Sequence, residues 1–318
     1  MFSLRLKEVY SQDITPFGSY NFKLTASLYA TNWEFDGDHA YLALIYDDEV
    51  VLSILSSVGD MVKIFYLASS NDSELLENAI DDVRFIFGLD ENLDEFYNSV
   101  RNDPLLGILS GELRGIHLRA VQDIWDGLII GICQQNTSFY NGWRSLIKLR
   151  KLFGKRIYLP GKSVEYYTYP RPDSILNFAP YLRKTGIGYR SKIILNVARE
   201  YIKREGKIEN LEDLKYIGPY TSAITRVMAL REYSVFPLDR WFTRLLTHVY
   251  FNDEEVSREE LIKFIDKKWG RWKGLAAVFI TAVTGAKTIS KTIMDFDSNR
   301  LEPFPDKPAP LTLWKYEL

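Results

Sequence analysis

The spacing of apolar residues changes period near residue 73, and that change limits what the chain can fold into. Up to about residue 70, the stretches YNFKLTASLYA, AYLALIYDDEVVLSIL and VKIFYLA are rich in β-branched and aromatic residues. Turn signals separate them at Phe35-Asp36-Gly37-Asp38 and Ser57-Val58-Gly59-Asp60, so they are predicted as strands. Asp72 or Ser73, followed by Glu74 and Leu75-Leu76, marks a helix start. From there the helical period persists, with helices predicted over 118–133, 140–152, 189–204, 211–216, 221–230, 240–250, 258–267 and 275–287. The tail LEPFPDKPAPLTLWKYEL is proline-rich and is expected to lie extended on the surface. The fold class is therefore mainly α with a β-containing N-terminal domain (α+β). A β-rich domain is expected over 1–105, a helical body over 106–300 and a tail over 301–318. Two domains suit 318 residues at roughly 100–200 residues each.

Composition excludes several classes. Forty Lys+Arg against 42 Asp+Glu leave a net charge of -2, so a nucleic-acid surface would have to be a local patch rather than a general basic coat. The single cysteine, Cys133, rules out an intramolecular disulfide, a four-cysteine iron–sulfur cluster and a zinc ribbon. His39, His117 and His248 are too scattered for a metal triad. MFSLRLKEVY lacks the apolar core of a signal peptide, and no run of about 18 apolar residues occurs. A soluble intracellular protein is expected, with no membrane partner.

The segment with most chemical content is LEDLKYIGPYTSAITRVMAL, residues 211–230. It predicts a helix, a tight turn at Ile217-Gly218-Pro219, and a second helix. Gly218 would allow a backbone conformation that a Cβ resists, and Pro219 suits the first turn of a helix. The amides at that helix start could hold a DNA phosphate; a plain helical corner would look the same. Downstream, Phe236-Pro237-Leu238-Asp239-Arg240-Trp241 puts Asp239 at the start of another helix. There it could act as an N-cap, as a carboxylate facing a cleft, or as both.

Hairpin and Pro-x-Asp together resemble the helix-hairpin-helix DNA glycosylase superfamily, whose common form is Leu-Pro-Gly-Val-Gly followed by Pro-x-Asp. Lys215 and Tyr216 replace that proline and first glycine, and Ser222 replaces a usual alanine. The blocks RFIFGLDENLDEFYNSVRNDPLLGIL and GELRGIHLRAVQDIWDGLIIGICQQNTS are similar to the 3-methyladenine group. YLRKTGIGYRSKIILNVAREYI is similar to the 8-oxoguanine group, and WGRWKGLAAVFITA resembles both. The resemblance covers about residues 80–287 and implies the helix-hairpin-helix glycosylase fold.

It also implies a set of roles. The partner is double-stranded DNA carrying a damaged base, which is flipped into a pocket by a protein expected to act as a monomer. Asp239 is the catalytic carboxylate, stabilising the oxocarbenium character of the sugar. Where bifunctional relatives carry the Schiff-base lysine stands Tyr220, so water-using release without strand cleavage is expected; Lys215 and Lys287 could take that part only after rearrangement. The base pocket is assigned to Tyr220, Ile224, Thr281 and Trp125, with Tyr220 either stacking on the base or packing the second helix. The DNA-facing set is Gln135, Asn136, Tyr189, Arg190, Ile217, Gly218, Pro219 and Trp241. Either Gln135 or Asn136 fills the hole left by the flipped base. Tyr189 is a wedge, and Arg190 either reads an orphan cytosine or contacts phosphate. Trp241, like Trp269 and Trp272, also suits core packing. Main-chain carbonyls of Glu212, Leu214 and Ile217 are expected to hold a structural monovalent or divalent cation, with no cofactor for catalysis. Asn141, Ala277 and Thr281 stand where 8-oxoguanine readers are expected. Thr281 also replaces an aromatic of the alkylpurine pocket; the upstream blocks and Tyr220 favour an alkylated purine. The alternatives are an 8-oxoguanine-type or other purine-lesion enzyme, or a non-catalytic damaged-DNA-binding module.

Overall fold

A computed structural model describes residues 6–159 and 164–318, so the first five residues of the predicted N-terminal domain fall outside it. In chain order the elements are β1 (Lys7–Ile14), α1 (Phe22–Ser27), β2 (His39–Tyr46), β3 (Glu49–Val58), β4 (Met61–Ala68), α2 (Ser73–Phe87), α3 (Asp94–Ser99), α4 (Ile124–Gln134), α5 (Phe139–Phe153), β5 (Arg156–Tyr158), β6 (Glu165–Tyr167), α6 (Pro172–Asn177), α7 (Arg190–Lys203), α8 (Pro219–Leu230), α9 (Arg240–Phe251), α10 (Arg258–Trp269), α11 (Lys273–Val283) and α12 (Ile289–Asp297).

The first four strands form an antiparallel sheet in the order β1-β4-β3-β2. Alternation in β4 buries Val62, Ile64, Tyr66 and Ala68 on one face, where they pack with Leu75, Ala79, Val83 and Ile86 of α2. That helix begins where the sequence predicts: the Asp72 carboxylate accepts the amides of Glu74 and Leu75 at 2.9 and 3.0 Å.

The helical body is organised around α4. Every residue from Trp125 to Cys133 is buried, as expected of a helix apolar on all sides. Two glycines let α8 approach it closely. A Cβ on Gly131 would meet Thr221 at 2.9 Å, and one on Gly127 would meet Ala229 at 3.0 Å.

Three predicted boundaries shift. The helix expected from 118 starts only at Ile124, because the preceding residues run extended: Ala120 donates its amide to Ile86 and Val121 to Met228, both at 2.9 Å. The break expected at 105 falls inside the helical core, since α3 buries Phe96 and Tyr97 there. The sheet cluster ends at Leu89, and the helical cluster resumes at Leu93. The tail does not lie on the surface. Leu311 and Leu313 are buried in the helical core, Trp314 packs edge-on against Phe35, and the Pro310 carbonyl accepts the Tyr29 amide at 2.7 Å. Its apolar residues outweigh the prolines, which remove donors the tail does not need.

Charged groups also lock the two parts together. The Arg231 guanidinium, at the end of α8, donates to the carbonyls of Phe85, Ile86 and Leu118 and to Glu91. Glu34 is buried between Arg150, at 2.7 Å, and Arg119, at 3.1 Å.

Candidate active site

Helices α4, α5, α8 and α11 surround a cavity of about 120 Å³. Tyr29, Phe139, Trp143, Tyr220, Ile224 and Thr281 are among its lining residues. The rings form a stack: Tyr29 lies parallel to Trp143 with centroids 5.4 Å apart, and Phe139 tilts against both. Tyr29 is fixed from behind. Its φ is +56°, unusual for a bulky residue, and the tail carbonyl of Pro310 holds its amide.

Asp239 is not itself among the lining residues, but it lies in the chain between Pro237 and Phe242, which are, and its charge acts on the lining residue Tyr220. As the N-cap of α9 it accepts the Phe242 amide at 2.8 Å, so the two readings of this residue coexist. Burial raises its carboxyl above the ordinary aspartate range, and hydrogen bonds from the amides of Phe242 and Trp241 partly offset this. The Tyr220 phenol is pushed up by burial, and further by the charge of Asp239 and by Tyr29. Both phenols line the cavity, and the Asp239 carboxylate is near enough for its charge to act on one of them.

The hairpin differs from its prediction in two ways. Its first helix is a single 3₁₀ turn, Leu211–Asp213, capped by Asn210. The left-handed residue is Tyr216, with φ +73°. Gly218 has φ -101° and ψ -179°, extended backbone open to any residue, and nothing lies within 4 Å of a Cβ built on it. Helix α8 then starts at Pro219, with no side chain capping its first amides, which leaves an anion-binding end facing open space. Tyr216→Gly should raise stability by up to about 1 kcal/mol by relieving the left-handed tyrosine, since its ring is 57% exposed. A lower unfolding temperature in that variant would contradict the assignment of strain.

Gln135 clamps the loop after α4 to the hairpin, donating to the Tyr216 carbonyl at 3.3 Å and to the Thr221 hydroxyl at 2.8 Å. Asn136 projects beside it in a left-handed conformation, and its amide reaches the Tyr189 hydroxyl at 3.4 Å. Tyr189 is 58% exposed. Gln135 is thus held at two points, and Asn136 by one longer contact.

Three assignments need correction. Trp125 does not line the cavity: its ring is fully buried, and the indole N–H donates to the Pro170 carbonyl at 2.6 Å. Arg190 is also buried, and its guanidinium donates to the carbonyls of Ile187, Cys133 and Gln135 at 2.9–3.0 Å, so it braces the loop after α4 and is not free to read a base. Trp241 donates to the Lys287 carbonyl at 3.0 Å and packs against Phe242, a core role. The Ile217 side chain is buried, which leaves its expected main-chain part unaffected. Neither lysine reaches the cavity. Lys287 is paired with Asp295 at 2.7 Å and Glu302 at 3.0 Å, and Lys215 lies over the exposed Tyr216 ring.

The sequence reading missed Tyr29, Gln134, Phe139 and Trp143. Gln134 adjoins the insertion pair and its Nε2 has no partner. Tyr29 lies 210 residues before Asp239, and nothing local marks it. No cluster of His, Cys, Asp and Glu suited to a metal occurs among the described residues. At the expected cation seat the Leu214 carbonyl already accepts the Ile217 amide at 3.0 Å, leaving one lone pair for an ion. No helix among the described residues is long and apolar enough to cross a membrane.

The architecture is a central apolar helix, α4, with a turn leading into α8 beside an aromatic cavity, and its likenesses are to solved DNA glycosylases. No protein-family model matches the chain. A 3-methyladenine DNA-glycosylase from Archaeoglobus fulgidus superposes with a TM-score of 0.70 at 21% identity, over 85% of this chain and 96% of that one. The 8-oxoguanine glycosylase/lyase of Clostridium acetobutylicum in its apo form gives 0.65 at 19% identity, over 88% and 98%. In sequence, a probable N-glycosylase/DNA lyase of Methanothermobacter thermautotrophicus is 21% identical over 234 residues, 62% of this chain and 72% of that protein. In sequence and in fold the chain is therefore similar to DNA glycosylases of both the 3-methyladenine and the 8-oxoguanine types.

Proposed function

We propose that the protein is a monofunctional DNA glycosylase of base excision repair. It flips a damaged purine, an alkylated one in the first place, into the aromatic cavity and releases it with water. The observation that carries this reading is a cavity lined by Tyr29, Trp143 and Tyr220, with no lysine among the lining residues and with the Asp239 carboxylate near enough to act on Tyr220. Stacked rings suit a flat base, and a half-buried carboxylate suits charge developing on the sugar. Tyr220 occupies the place of a lyase nucleophile, and a phenol forms no imine. The M. thermautotrophicus relative is named an N-glycosylase/DNA lyase, so strand cleavage is the property to test.

DNA would approach the open face formed by the α8 start, Gly218, Asn136 and Tyr189. A monovalent or divalent cation on the carbonyls of Glu212, Leu214 and Ile217 would bridge to phosphate. Incubation with duplexes carrying single defined lesions should yield abasic sites, and strand breaks only after alkali. Breaks without alkali would overturn the monofunctional reading; no abasic sites with any lesion would overturn the glycosylase itself.

A further inference from the structure

The polar atoms of the cavity have a direction. Thr281 Oγ1 lies 2.6 Å from the Val278 carbonyl and 2.6 Å from Tyr29 Oη, while Tyr29 Oη is 3.5 Å from that carbonyl. A carbonyl cannot donate, so Thr281 spends its one proton on Val278. The short bond to Tyr29 must then be filled by the proton of Tyr29. Both hydroxyl protons therefore point away from the cavity, and the Tyr29 oxygen shows it lone pairs only.

The phenol has no route to a different arrangement by ionising, since burial holds it protonated, with its pKa pushed up to about 12 despite the Thr281 bond. Nor can the ring turn aside. Trp143 and Phe139 pack it, and the left-handed backbone at Tyr29 is held by the tail. A bulky residue kept in that conformation is strained, and such strain collects at functional sites.

We infer that Tyr29, oriented by Thr281, is a specificity-determining acceptor that selects bases presenting an N–H to it. The inference rests on the glycosylase reading and deepens it by naming the hydrogen-bonding class of the base. Two purine sources supply such a donor: the exocyclic amino group of an alkylated adenine, and the ring N–H that oxidation adds to 8-oxoguanine. Gln134, whose Nε2 has no partner, lines the same cavity and supplies the complementary donor for a ring nitrogen or carbonyl of the base.

The test compares single-turnover base release from three duplexes, for the wild type and for Tyr29→Phe. One carries 3-methyladenine, which keeps its amino group. The second carries 1,N6-ethenoadenine, whose bridge has removed the amino protons. The third carries 8-oxoguanine. Tyr29→Phe keeps the stacked ring and removes only the acceptor, so release of the amino-bearing lesion should fall on the order of 10-fold, while release of ethenoadenine changes by no more than about twofold. The ratio of ratios isolates Tyr29 from general effects on folding or flipping. A parallel loss with 8-oxoguanine assigns the donor to the ring N–H as well; a loss confined to 3-methyladenine assigns it to the amino group. Thr281→Val, which leaves Tyr29 in place but frees its proton, should lower the same preference. Equal effects of Tyr29→Phe on all three lesions, or release of ethenoadenine alone by the wild type, would overturn the inference while leaving the glycosylase standing. A wild type that releases none of the three overturns both.

Discussion

Asp239→Asn should slow base release by on the order of 10²–10³-fold while leaving the fold intact. Asparagine caps a helix as well as aspartate does, and its side-chain oxygen can still accept the Phe242 amide that Asp239 holds at 2.8 Å. What it lacks is the charge, so the substitution separates capping from electrostatics at one position. Single-turnover kinetics and a thermal unfolding curve read the two roles independently; full activity in a folded Asp239→Asn protein would sink the mechanism. The same carboxylate predicts the acid limb of the pH–rate profile. Burial favours the neutral acid, and only the ionised form stabilises a cationic transition state. Activity should therefore fall as pH drops through a value above the ordinary aspartate range, and a limb at or below that range would contradict it.

Glu34→Ala should cost about 3–5 kcal/mol of stability, read as a drop in the denaturant midpoint. The Glu34 carboxylate accepts Arg150 at 2.7 Å, Arg119 at 3.1 Å, and both the amide and the hydroxyl of Thr31. All three charged side chains are buried, and removing the one anion leaves two guanidiniums facing each other out of reach of water. Arg150 is further committed to the Tyr167 carbonyl and lies over the Tyr169 ring, so it cannot swing out to solvent. Burial would raise the Glu34 pKa, but the two arginines and the Thr31 hydrogen bonds outweigh it and hold the carboxyl far below the glutamate range. A depressed folded pKa gives stability that is complete above the unfolded value and is lost as pH falls toward the folded one. Acid should therefore loosen the joint between sheet and helical body. An alanine variant as stable as the wild type would show that this cluster does not hold that joint.

Much of the chemistry was legible because it is local. Asp72 before Ser73 is a cap that needs only its next three residues, and Pro237-Leu238-Asp239 likewise fixes an N-cap whose carboxylate cannot lie far from the following helix. The substitution of tyrosine for the first hairpin glycine pointed to an atypical turn, and Tyr216 is indeed left-handed there. The glycine that drew attention, Gly218, carries no such strain, because the turn places its positive φ two residues earlier. Trp125 was misplaced for a related reason. Helical spacing says that a residue is buried but not whether it faces a cavity or solid core.

Local pattern determined by itself the passage from strands to helices near residue 73, the helix starting at Pro219 and the N-cap at Asp239. Those follow from periods, caps and functional groups, which are properties of neighbours in the chain. Only the tertiary structure decided that Tyr29, Phe139 and Trp143 complete the pocket, that Arg190 is spent on three carbonyls, and that the C-terminal tail is core. Each of these depends on contacts between segments far apart in sequence: Tyr29 meets Thr281 across 252 residues. No period or spacing encodes which way a hydroxyl proton points once two such segments have met.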